Sequence, residues 1–236
     1  MSDRKRPGRI SWLDGWRGLA CWLMVGYHLT FDLVMFGWVA PEFVEQWPVV
    51  LWQRFIAFSF ILCAGWSATL TRSNARRGLI VSAAGLIVVA ASYLVGAPIK
   101  FGVLQFLGLA MLLYAAAGKQ LARIPEAVAP VLWLGLFILG WIGLSKLRVE
   151  TEYLFWLGLR SRTFESFDYV PMVPYLFLFF LGSWLGEMAA KYRARLPFLE
   201  KTAPGILTWP GRRTLIIYML HQPVLFGICA AVYILL

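Results

Sequence analysis

Apolar residues run along this chain in blocks long enough to cross a bilayer, separated by short polar stretches rich in arginine and lysine. A spanning helix needs roughly 17–25 residues of this kind. Seven blocks qualify, and they predict spans over about Trp12–Trp38, Val49–Leu70, Leu79–Val95, Phe101–Ala117, Val128–Leu144, Met172–Met188 and Thr214–Leu236. The connection 39–48 carries Glu42 and Glu45, and Arg54 falls about one turn inside the second span. Gly96-Ala97-Pro98 ends the third span. One long connection, 145–170, mixes charges with the aromatic run YLFWLGL and leads into Asp168-Tyr169-Val170-Pro171. There is no repeat, low-complexity tract or linker, so residues 1–236 read as a single transmembrane domain. The expected fold class is all-α, a polytopic bundle of seven spanning helices.

The first span breaks the apolar pattern. It carries Asp14, Arg17, His28 and Asp32. An ionisable group inside a span is costly unless it faces a bundle interior or water, so it marks function by default. At about 100° per residue, His28 lies roughly 20° around the helix from Arg17 and roughly 40° from Asp14 and Asp32. The four therefore share one stripe, with Cys21 and Val25 between them. From Arg17 to His28 the rise is roughly 16 Å, about half the hydrocarbon thickness. His221, in the last span, is the only other histidine, and it is followed by Gln222 and helix-bending Pro223.

Composition confirms the setting and charge orients it. The chain is 60% apolar and 14% charged, with a net charge of +10. With no soluble basic domain, that charge points to orientation in a membrane rather than to nucleic acid. With the N-terminus in the cytoplasm, the cytoplasmic segments hold fifteen Lys and Arg: Arg4, Lys5, Arg6 and Arg9; Arg72, Arg76 and Arg77; Lys119 and Arg123; and six between the last two spans. The opposite side holds five: Lys100, Lys146, Arg148, Arg160 and Arg162. The N-terminus is expected to be cytoplasmic and, after seven spans, the C-terminus outside. The first span resembles a signal peptide only superficially. It is too long, contains Asp14 and Arg17, and lacks a small-residue cleavage site, so it reads as retained. Cys21, Cys63 and Cys229 fall in apolar runs, and no spacing suits a disulfide or a metal.

Several polar residues have ordinary readings beside the functional one. Asp14 favours a helix N-terminus and pairs naturally with Arg17 one turn on. Arg17 and Arg54 sit where arginines snorkel to the interface. Gln105 suits a packing contact, His221 a hydrogen-bonded packing residue, and Asp168-Tyr169 a turn closing the long connection. A proton-coupled transporter or flippase would use the same Arg-His-Asp stripe, although the paired broken helices of such proteins are missing from the sequence.

Arg17-Gly18-Leu19-Ala20 followed by His28, that is Arg, ten residues, His, is similar to the signature of membrane acyltransferases related to the acyltransferase type 3 family. A fuller set resembles the heparan-alpha-glucosaminide N-acetyltransferase-like family of bacterial membrane proteins. It comprises LDGWRGLA (13–20), MVGYHLTFDL (24–33), FGVLQFLG (101–108), DYVPMVPY (168–175), FFLGSWLG (179–186) and GRRTLIIYMLHQPVLFG (211–227). Gln105 stands where that family usually has a histidine, which leaves His28 and His221 to carry any proton transfer. The resemblance implies transfer of an acyl group, acetyl first of all, from cytoplasmic acyl-CoA to a carbohydrate-like or other hydroxyl or amine acceptor. Expected roles are catalysis for His28, Asp32 and His221, and donor binding for Arg17 and Asp14. Substrate binding is expected for Arg54, Gln105, Asp168, Tyr169 and Gln222. The expected partners are the lipid bilayer of a cell inner membrane, acyl-CoA and the acceptor; a homo-oligomer is compatible with the sequence.

Overall fold

A computed structural model describes residues 10–71 and 73–235. Among them are eight α-helices and no strand: α1 (Ser11–Met35), α2 (Trp47–Thr69), α3 (Asn74–Leu94), α4 (Val103–Leu121), α5 (Ala129–Lys146), α6 (Met172–Lys191), α7 (Gly205–Arg212) and α8 (Thr214–Leu235). All but α7 are long and apolar enough to cross a membrane. The chain is therefore an all-α, polytopic membrane protein. Each expected span is matched by a helix, with ends displaced by a few residues. The basic tail before Ile10 and Arg72 lie outside the described residues. Because α2 begins at Trp47, Arg54 sits two turns inside it rather than one.

Apolarity drives these helices, since a bilayer offers the backbone no alternative hydrogen-bond partners. Local chemistry ends them. After α3 the chain turns at Gly96, whose φ of +72° favours a residue without a Cβ. There Ala97 N–H donates to the Ser92 carbonyl and Gly96 N–H to that of Tyr93, which satisfies the last turn.

The described residues fold as two compact units, 10–60 with 192–235, and 61–191. In the first, α7 lies against α1 at backbone contact. A Cβ on Gly18 would come 1.6 Å from the Leu207 carbonyl oxygen, and one on Gly211 1.8 Å from that of Asp14. Small residues at helix crossings permit this approach. The seam is fixed at its edges: the Trp22 indole donates to the Ile206 carbonyl at 3.0 Å, and Ala203 N–H to Ser11 Oγ at 3.0 Å. Ala20, Cys21, Met24, Ile56 and Phe60 form the adjoining core, with Tyr27, Trp52 and Tyr218 packed on it.

In the second unit α3 pairs with α4 and α5 with α6. Its fully buried centre includes Ile61, Phe106, Ala110 and Phe179. The long connection from Leu147 to Pro171 is ordered and tied back to the start of α4. Phe167 N–H donates to the Pro98 carbonyl and Val170 N–H to that of Phe101.

Replacing Gly18 or Gly211 with Ala should push α7 off α1 and destabilise the protein by about 1–3 kcal/mol, the usual scale for overpacking. Gly135→Ala, at a helical position with open space, should be neutral or mildly stabilising. Thermal unfolding of the three variants in detergent checks the contrast; equal melting temperatures would mean the seam is not close-packed.

Candidate active site

The polar stripe of α1 is built as two clusters in the first unit. Near its N-terminal end Asp14 is fully buried. Its Oδ1 accepts a hydrogen bond from Arg17 Nη2 at 2.6 Å, one turn on, and its Oδ2 lies 3.6 Å from Arg212 Nε. A carboxylate removed from solvent needs such answers. The sequence foresaw the first partner. The second comes from α7, which hydropathy does not reveal because the segment is short, basic and interrupted by Pro210. Arg213, next in line, places its guanidinium 4.9 Å from the centre of the exposed Trp209 ring.

Three turns further along α1, His28 and His221 meet, with ring centroids 4.6 Å apart and planes at 67°. Tyr27 and Tyr218 flank them, their rings 5.6 Å from His28 and His221 respectively. His221 Nδ1 lies 2.7 Å from the Tyr218 carbonyl oxygen. A carbonyl only accepts, so Nδ1 carries the proton, and the neutral ring keeps its lone pair on Nε2. That Nε2 is buried and has no hydrogen-bond partner among the described residues.

Asp32 is fully buried as well. Its Oδ1 accepts from Gln222 Nε2 at 2.7 Å, while Asp32 Oδ2 and Gln222 Oε1 are buried without hydrogen-bond partners among the described residues. Buried polar atoms left unpaired are uncommon, and each needs an explanation. Three acceptor atoms in this state, on Asp32, His221 and Gln222, suit a ligand that brings O–H or N–H donors. Asp32 stands one turn past His28 on α1, and its hydrogen bond comes from Gln222. Arg54 lies in the same unit, exposed on α2.

The remaining expected site residues belong to the second unit, where they order the start of α4. Gln105 Oε1 accepts from Gly102 N–H at 3.1 Å, and its Nε2 donates to the Gly85 carbonyl on α3 at 3.0 Å. Asp168 Oδ2 accepts from Val103 N–H at 3.0 Å, so the long connection supplies a capping carboxylate to a helix whose N-cap is a glycine. Tyr169 hydroxyl donates to the Phe155 carbonyl at 2.6 Å, and its ring lies 4.7 Å from that of Phe164. Among the described residues no group of three or more His, Cys, Asp or Glu gathers in a way that would hold a metal ion.

Burial pushes the Tyr169 phenol up to about 12, and the nearby Arg160 only partly offsets it. A raised folded-state value means the contribution is full below the ordinary tyrosine range near 10 and is lost as pH climbs through about 12. Tyr169→Phe should cost about 1 kcal/mol, the net worth of one hydrogen bond. It should also remove one late-ionising phenolate from an alkaline absorbance titration. A Tyr169 that titrates with the exposed tyrosines would show that the loop is not packed as described.

No curated protein and no solved structure matches the chain. The family described as heparan-alpha-glucosaminide N-acetyltransferase, catalytic, matches residues 9–223, a stretch that takes in both histidines, Asp32 and the whole polar cluster around Asp14. With its seven spanning helices, this multi-pass membrane protein belongs to the heparan-alpha-glucosaminide N-acetyltransferase catalytic family, a family of acetyltransferases.

Proposed function

We propose that the chain transfers an acyl group, in the first instance acetyl, from cytoplasmic acyl-CoA to a hydroxyl or amine of a carbohydrate-like acceptor at or across the membrane. The observation that supports this reading best is the facing pair of histidines, 4.6 Å between ring centres, beside the buried Asp32–Gln222 pair. His221, protonated at Nδ1, offers the Nε2 lone pair as the base that takes the acceptor's proton. His28, in contact with that ring, serves as the second acid–base group or as a transient acyl carrier. Negative charge on Asp32 stabilises the imidazolium formed when either ring is protonated.

Donor binding is assigned to Arg17 and Asp14. Arg17 is about a quarter exposed, so its guanidinium is available to a phosphate while Asp14 holds its orientation. Within the first unit, acceptor contacts are assigned to Gln222 and Arg54; within the second, taken by itself, Gln105, Asp168 and Tyr169 are the candidates for substrate binding. Because the family match runs through both units, we read the whole chain as one catalytic domain. The charge asymmetry supports a cytoplasmic N-terminus and an outer C-terminus, and we assign the chain to a cell inner membrane.

The roles separate in reconstituted membranes with labelled acetyl-CoA. His28→Gln and His221→Gln should each lower transfer by about 10²–10⁴-fold, the scale of a lost acid–base group, with donor binding retained. Arg17→Ala should weaken donor binding, and Arg17→Lys should recover part of it, since a point charge lacks the bidentate fork. Transfer at the unmodified rate by either glutamine variant would make that imidazole structural. Orientation is read independently, by cysteine labelling of intact cells. An impermeant thiol reagent should reach a cysteine added at the C-terminus and miss one placed between Ser73 and Arg77; the reverse pattern overturns the topology.

A further inference from the structure

The second unit holds a carboxylate that the reaction above does not use. Glu187 is the one acidic residue on a spanning helix of residues 61–191 among those described. It lies one turn before the end of α6 at Lys191, and its Oε1 is 3.5 Å from the Tyr114 hydroxyl, a long contact. An acidic group inside a span is a functional feature by default.

Glu187 borders an open cavity of about 210 Å³. Its walls are aromatic and apolar: Trp133, Trp184, Leu121, Ile124 and Met188. Both indoles are fixed. Trp133 is 8% exposed and packs 5.1 Å from Phe180, and the Trp184 N–H donates to the Glu126 carbonyl at 2.9 Å. The polar lining beyond Glu187 is Ser183, whose hydroxyl donates to the Phe180 carbonyl, and Glu126, whose carboxylate is paired with Lys191. Among the described residues no Lys, Arg or His lines the cavity. An acidic pocket with indole walls complements a cation carrying N–H donors, which gains charge-assisted hydrogen bonds from the carboxylate and a favourable position against the rings.

The position narrows the source. Leu121 is the last residue of α4, Ala129 the first of α5, and both border the cavity beside Glu187. Three spans thus reach the cavity within about a turn of their ends, the depth at which lipid headgroups and tryptophan belts lie. We propose that this cavity is a binding site for a primary ammonium group, held by Glu187 between Trp133 and Trp184. Its occupant is the headgroup of an ethanolamine phospholipid or a soluble amine of the same chemistry.

Native mass spectrometry of the full chain in detergent tests the site, with phosphatidylethanolamine, phosphatidylglycerol and phosphatidylcholine as competing probes and free ethanolamine in a separate titration. Phosphatidylethanolamine should be retained about tenfold better than phosphatidylglycerol, and Glu187→Gln should abolish that preference. Tyr114→Phe, which keeps the carboxylate, should preserve it. Phosphatidylcholine, with its quaternary headgroup and no N–H, should fall between the two. Binding of free ethanolamine without a phosphatidylethanolamine preference would assign the site to a soluble amine. Equal retention of all three lipids with no ethanolamine binding overturns the proposal, as does an unchanged preference in Glu187→Gln. Should Glu187→Gln fail to fold, Trp184→Leu replaces it: the preference must drop there too, or the site is not in this cavity. None of these readouts involves acyl transfer, so they stand or fall apart from the proposed reaction.

Discussion

A carboxylate sealed inside an apolar environment must be answered by charge or by hydrogen bonds, and the first unit is arranged around two such answers. Asp14 is met by Arg17 from its own helix and by Arg212 from α7. The Arg212 contact requires α7 to lie where a glycine on each helix lets the backbones touch. Asp32 is met by Gln222 from α8, which brings the adjacent His221 against His28. Both solutions place reactive or cationic groups on one stripe of α1. Electrostatic necessity and the layout of the polar stripe are therefore the same fact.

Most of the architecture was legible because a bilayer makes hydropathy nearly sufficient. All seven spans, and the turn at Gly96, follow from composition and helix-ending chemistry alone. The exceptions share a cause. The helix α7 is only eight residues long and includes Arg212 and Pro210, and it is held by contacts rather than by apolarity, so no periodic signal announces it. Arg54 lies deeper than expected because α2 starts at Trp47, ahead of Pro48, a residue that begins helices readily.

The polar stripe was legible in the residues that gather on α1 and less so in their pairings. The helical angles of α1 pointed to one stripe, and the scarcity of histidine pointed to His221. That Gln222 rather than His28 holds Asp32 depends on the rotation of α8 against α1, which sequence spacing does not encode. Gln105, Asp168 and Tyr169 have visible work as caps and ties around α4, and the turn-forming reading of the Asp-Tyr pair described that geometry. Family membership, not the stripe, is what separates acetyl transfer from the proton-coupled transport that similar residues would serve.

The pairing of Asp14 also has a temporal side. Its bond to Arg17 spans three residues and exists as soon as the first helix enters the membrane. Arg212 is made nearly two hundred residues later, which at about 5–20 residues per second is a delay of roughly 10–40 s. Asp32 has no comparable local cation, and its partner Gln222 lies 190 residues downstream. For most of translation the nascent first helix therefore carries one carboxylate already neutralised and one still waiting. The insertion machinery must hold that helix, or let it sit with Asp32 near water, until the last span arrives.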